Sequence, residues 1–111
     1  MLTSRTDEVT PTQGDLIRVL GEPLRLRIVT LLAREALCTN HLIEETGARQ
    51  TALSNHLRVL REAGIVEPEP HGRFTYYRLR PEVPEALEEF FGELARTARE
   101  ALAADRKRPC E

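Results

Sequence analysis

The sequence predicts a mainly α-helical domain with one small β-hairpin, its elements ordered helix, helix, helix, helix, strand, strand, helix. Three observations carry that expectation. The stretches "TNHLIEETG" and "RQTALSNHLRVLREAG" both show helical apolar spacing, and they nearly abut. The segment "FTYYRLR" alternates in character and follows the Gly-containing turn "PHGR". A long amphipathic pattern then closes the chain. Two short helices joined tightly and followed by a two-stranded hairpin are the plan of a winged helix-turn-helix.

Each element has a local justification. Residues 1–12 are polar, include Pro11 and read as a flexible N-terminal arm; 13–104 read as the folded domain and 105–111 as a flexible tail. In "GDLIRVLGEP", Leu16, Ile17 and Leu20 fall at helical spacing before Gly21 ends the helix. Pro23 then occupies a favoured first-turn position, and Leu24, Ile28, Leu31 and Leu32 form the apolar stripe of the second helix. Thr39 is the expected cap of a short third helix that Gly47 ends. In the fourth helix Leu53, Leu57 and Leu60 share one face, and Gly64 closes it. The prolines Pro68 and Pro70 confine the first strand to a short edge. On the second strand Thr75, Tyr77 and Leu79 alternate with Phe74, Tyr76, Arg78 and Arg80. From about Glu82 to Ala104 a long helix carries Leu87, Phe90, Phe91, Leu94, Ala98, Ala101 and Leu102.

Length and composition bound the function. A chain of 111 residues, 41 % hydrophobic and 31 % charged, is one globular domain with a modest core. No apolar run approaches the roughly 18 residues of a membrane span, so the expectation is a soluble cytoplasmic protein. The net charge of −2 conceals a gradient. Arg49 to Arg80 holds six Arg against three Glu, whereas Pro81 to Ala104 holds six Glu against two Arg. That sidedness suits a nucleic-acid face beside an acidic helix. An enzyme is not expected: there is no supported nucleophile–base arrangement, no phosphate-cradling glycine loop and no pair of pocket carboxylates.

The fourth helix carries the candidate chemistry. With Leu53 at 0° and 100° per residue, Leu57 lies at about 40° and Leu60 at about 340°. Ser54, Arg58, Thr51 and Asn55 then lie at about 100°, 140°, 160° and 200°, opposite the apolar stripe. Short polar and cationic side chains of this kind suit the major groove, where Asn or Gln pairs adenine and Arg pairs guanine or a phosphate. His56, at about 300°, flanks the core and reads as a hydrogen-bonded structural histidine. A winged helix used only for protein interaction is the rival class, but its face would be apolar or acidic.

"RQTALSNHLRVLREAGIV" followed by "HGRFTYYRL" closely resembles the ArsR/SmtB-type winged-helix repressors. The shared pattern is Ser-x-His-Leu-x-x-Leu-x-x-Ala-Gly, then a Gly-Arg wing and a Tyr-Tyr-x-Leu strand; "LGEPLRLRIVTLL" is similar to the family's second helix. The resemblance implies a homodimeric repressor binding an inverted-repeat operator in double-stranded DNA. It implies DNA contacts at Gln50, Thr51, Ser54, Asn55 and Arg58, and at the wing from His71 to Arg73; Arg49, just before the helix, can meet a phosphate. It implies a dimer interface through the first and last helices, on Leu16, Ile17, Leu20, Leu87, Phe90, Phe91, Leu94 and Ala98. Two departures stand out. Arg49 replaces a common capping Ser, and "VEPEP" puts two Glu where the wing often carries Arg or Lys, leaving Arg73 as its expected cation.

Metal sensing is an open expectation. "ALCTNHL" aligns with a family site of sequence Glu-Leu-Cys-x-Cys-Asp-Leu; Cys38 keeps the first thiol, Asn40 takes the second position and His41 the Asp position. Arsenic(III) prefers three thiolates, which one cysteine cannot provide. The family's other common site falls at Pro81, Val83, Leu94 and Thr97, none of them a ligand. Cys38, His41, His71 and Cys110 remain as possible donors, with Cys38, His41 and Cys110 the candidates for nickel, zinc or copper, needing completion by Asp7, Glu8 or the other subunit. Cys38 as a small buried core residue is the alternative. Control by redox state or by a co-regulator protein stands beside both.

Overall fold

The computed structural model describes residues 12–110, so the expected arm, Thr12 apart, lies outside the described residues, as do Asp7 and Glu8. The elements are α1 (Gln13–Leu20), α2 (Pro23–Leu32), β1 (Leu37–Cys38), α3 (Thr39–Thr46), α4 (Gln50–Glu62), β2 (Val66–His71), β3 (Phe74–Leu79) and α5 (Glu82–Ala103). The helices and the hairpin follow the sequence expectation. β1 is an addition: two residues are too few to show alternation. The sheet is antiparallel in the order β1-β3-β2, with Cys38 opposite Tyr76 and Leu37 opposite Tyr77.

The helix ends have identifiable causes. Thr12 and Asp15 form a capping box on α1: the Asp15 amide donates to Thr12 Oγ1 at 3.2 Å and the Thr12 amide to the Asp15 carboxylate at 3.3 Å. Glu22 caps α2 by accepting the Arg25 amide at 2.9 Å, with Pro23 at the first helical position. The expected cap of α3 is corrected. Cys38 is the N-cap and Thr39 the first helical residue, because pairing with β3 holds Cys38 extended until the helix begins. α3 ends at Gly47, whose φ of 72° is a left-handed conformation that a side chain would strain. Gly72, with φ of 63°, serves the same need in the two-residue turn of the hairpin.

β2 extends further than its prolines suggested, six residues to His71, though it is indeed an edge strand. Pro68 and Pro70 are two apart and therefore share one side of the ladder, so one edge absorbs both missing donors.

The core gathers one stripe from each layer. Ile28 of α2, Leu42 of α3, Leu53 and Leu60 of α4, Ile65 just before β2 and Val66 at its start are fully buried. Leu16, Val19, Leu32, Leu57 and Val83 complete it, and Tyr77 and Leu79 pack against it from the sheet. Each such aliphatic side chain contributes about 1.5–3 kcal/mol when fully removed from water. No helix among the described residues is long and apolar enough to cross a membrane.

Leu53, with none of its surface exposed, sits where α4 meets the other helices. Leu53→Ala should lower unfolding free energy by about 2–5 kcal/mol in a denaturant titration, since the packed neighbours cannot collapse fully into the void.

Candidate nucleic-acid interface

Burial of Leu53, Leu57 and Leu60 turns the opposite face of α4 outward. Gln50, Thr51, Ser54, Asn55 and Arg58 are all exposed, as is Arg49 immediately before the helix. Arg49 makes no side-chain capping bond, so the first amides of α4 remain open. On the exposed face Arg58 donates to Asn55 Oδ1 at 3.2 Å, and its other nitrogen lies 4.0 Å from Glu62. Such exposed pairs are worth a few tenths of a kcal/mol, little enough for a phosphate or a base edge to displace.

The wing presents His71 and Arg73 at its tip, both exposed. His71 also sets its ring edge-on against Tyr76, with centroids 5.6 Å apart. The two wing glutamates are engaged sideways. Glu69 accepts from Arg78 Nε at 2.6 Å, and Glu67 lies 3.2 Å from Arg80, which also reaches Glu82 at 3.5 Å. They neutralise the strand arginines and leave the tip alone. Arg73 has no ion pair among the described residues.

The proposed metal donors do not assemble. Cys38 is buried, with 7 % of its surface exposed, and belongs with the core, whereas Cys110 is exposed beyond α5. His41 Nδ1 accepts the Cys38 amide at 3.2 Å, and its ring packs 6.0 Å from that of Tyr76. One nitrogen of His41 is therefore spent on starting α3. Among the described residues no three His, Cys, Asp or Glu side chains converge as a ligand set. Among the described residues, Cys38 and His41 therefore lack the further donors that a transition-metal site needs.

The expected interface residues divide. Leu16, 6 % exposed, is corrected to the core: it lies on the side of α1 that faces inward with Val19. Leu20 and Leu87 also pack partly on their own core, and Phe90 is half-buried with its ring edge against Phe91. Ile17, Phe91 and Leu94 remain 38 %, 50 % and 49 % exposed, and Ala98 lies open beside them. Leu102, 81 % exposed, is a further apolar residue of this helix that the expected interface set did not include.

A family model described as "Bacterial regulatory protein, arsR family" matches residues 22–68, from the cap of α2 into β2. The arsenic resistance transcriptional regulator ArsR1 of Pseudomonas putida is 35 % identical over 97 residues, covering 86 % of this chain and 76 % of that protein. The HTH-type transcriptional repressor SmtB of Mycobacterium tuberculosis is 36 % identical over 65 % of this chain, which spans 53 % of that relative. The crystal structure of a possible transcriptional regulator for arsenical resistance superposes with a TM-score of 0.67 at 39 % identity, covering 85 % of this chain and 98 % of the other.

One polar junction fixes α4 against the helices before it. Arg25 donates from Nε to the Val19 carbonyl at 2.6 Å and from a terminal nitrogen to His56 Nδ1 at 3.2 Å. Glu22 lies 3.9 Å from the other ring nitrogen of His56. Arg25 has no acceptor atom, so His56 accepts at Nδ1, as expected of a structural histidine. Helical periodicity did not reveal Arg25, because its partners are 6 and 31 residues away. The Arg25 amide, with lesser help from the Leu24 amide and the Arg25 charge, holds the Glu22 carboxyl below the ordinary glutamate value. A lowered carboxyl pKa stabilises the fold above the unfolded-state value, and the contribution disappears as pH falls through the folded-state value. Glu22→Ala should therefore melt below wild type at neutral pH, and thermal melts repeated towards about pH 3 should show the gap closing.

Proposed function

The chain belongs to the bacterial ArsR family of DNA-binding transcriptional regulators, and on that premise we propose that it represses transcription as a cytoplasmic homodimer on an inverted-repeat operator. It is not an enzyme. The observation that supports this reading most is the exposed polar face of α4, held outward by three buried leucines. Thr51, Asn55 and Gln50 meet base edges in the major groove, Arg49 and Arg58 supply cationic contacts, and His71 and Arg73 reach the backbone or the neighbouring groove from the wing. Net acidity does not oppose this, because the acidic residues concentrate on α5, away from the basic stretch.

Dimerisation has separate support. Every residue of α5 from Phe91 to Glu100 is exposed in the single chain, although Phe91 and Leu94 are apolar. A helix without tertiary packing is marginal in water, and an exposed apolar seam on one gains most from a second copy. Ile17 of α1 extends the same kind of surface. A two-fold dimer of this kind carries two copies of α4 to half-sites about 34–36 Å apart.

Arg58→Ala should weaken binding to the promoter fragment next to the gene by roughly 5- to 150-fold, the range of one good charged contact; unchanged affinity in an anisotropy titration counts against the assignment of this face. Light scattering at micromolar concentration should give twice the chain mass. Leu94→Glu should shift it towards the monomer without a loss of helical circular dichroism, and a monomeric wild type would refute the interface.

A further inference from the structure

Between the start of α3, the flank of α4 and β3 lies a small cavity of about 130 Å³, lined by Thr39, Ser54, Leu57, Arg58, Arg61 and Tyr77. Three of those residues carry hydroxyls and two carry guanidinium groups, while Leu57 belongs to the core. Among the described residues no carboxylate lines it. By contrast, four larger clefts of the described chain each include glutamate: Glu35, Glu44 and Glu45 in one, Glu35 and Glu67 in another, and Glu69 or Glu45 in the remaining two. Arg61 has no ion pair among the described residues, and Arg58 has only the distant Glu62. The cavity is thus cationic and rich in donors, without an internal anion to satisfy it.

Its size narrows the ligand. Small-molecule pockets run to roughly 300–1,000 Å³, so this one is too small for a nucleoside but suits a single tetrahedral anion. Guanidinium forks and hydroxyls are the donors that phosphate oxygens take best. Ser54, Arg58 and Arg61 lie on the wheel at about 100°, 140° and 80°, a flank distinct from Asn55 at about 200°.

We infer that this cavity seats one phosphodiester group of the DNA backbone, held by Arg58 and Arg61, with Thr39, Ser54 and Tyr77 donating beside them. This rests on the DNA-binding reading above and deepens it. It commits Arg58 to the backbone and leaves Thr51 and Asn55 to read bases. It also adds Thr39, Arg61 and Tyr77 to the interface, on three different elements, so that seating the phosphate fixes α3, α4 and the sheet together over the groove.

A phosphate contact is indifferent to sequence, so the test needs no operator. Binding of a fluorescent mixed-sequence duplex is followed by anisotropy over a range of KCl concentrations. The slope of log affinity against log salt should shrink by about 0.9 when one phosphate contact is lost. Arg61→Ala should show that loss. Tyr77→Phe, which keeps the ring, should weaken binding a few-fold with the slope preserved, because a neutral donor is removed. Arg99→Ala, at an exposed position on α5, should bind like wild type. Arg61→Ala with wild-type affinity and slope overturns the phosphate seat while leaving DNA binding intact, and an equal effect from Arg99→Ala overturns it by reducing it to general charge. Wild type without salt-dependent duplex binding overturns the DNA-binding reading itself.

Discussion

The packing of Leu53, Leu57 and Leu60 against Ile28, Leu42 and Ile65 is the constraint on which the rest of the molecule depends. A helix offers no other means of choosing its rotation: each residue advances the surface by about 100°, so burying this stripe decides which side chains meet water. Thr51, Asn55 and Arg58 face outward because three leucines cannot. The Arg25 junction adds direction to this grip. It ties the end of α1, the start of α2 and the middle of α4 through one guanidinium, with hydrogen bonds of 2.6 and 3.2 Å. Apolar packing sets the rotation of α4, and these polar bonds limit its sliding, since they tolerate smaller displacements than dispersion contacts do.

Charge is organised on the same principle, by neighbours more than by totals. Read along the chain, glutamates in the wing are hostile to an anionic partner. Across the sheet they face arginines, so Glu67 and Glu69 cancel Arg80 and Arg78 and the tip keeps Arg73. The cavity of Thr39, Arg58 and Arg61 is the complementary case, cationic because no carboxylate among the described residues is folded into it. A net charge of −2 therefore says little about either surface.

The segment around Cys38 shows how a short motif takes its meaning from the fold. Thiol and imidazole three residues apart are a plausible pair of ligands in a linear reading. Pairing of Leu37 and Cys38 with Tyr77 and Tyr76 makes that stretch the third strand of the sheet, buries Cys38, and leaves His41 to accept the first amide before α3. The pair serves as a joint between strand and helix.

How much was legible follows from the range of the interactions. Five helices, their glycine stops and the hairpin were written locally, as periodicity, a proline at a first turn and alternation, so the sequence by itself determined the elements, the core stripe of α4 and its polar opposite face. Expectations that rested on contacts distant in sequence needed correction or had no signal at all. Leu16 went to the core, not the outer face; Cys38, not Thr39, capped α3; β1 existed only because β3 passes beside it; and Arg25 and the Thr39–Arg61–Tyr77 cavity draw on residues from separate elements. Tertiary structure alone decided these points, because burial, ion pairing and convergence of donors are set by which surfaces meet across the fold, and a one-dimensional pattern records only which surfaces are available.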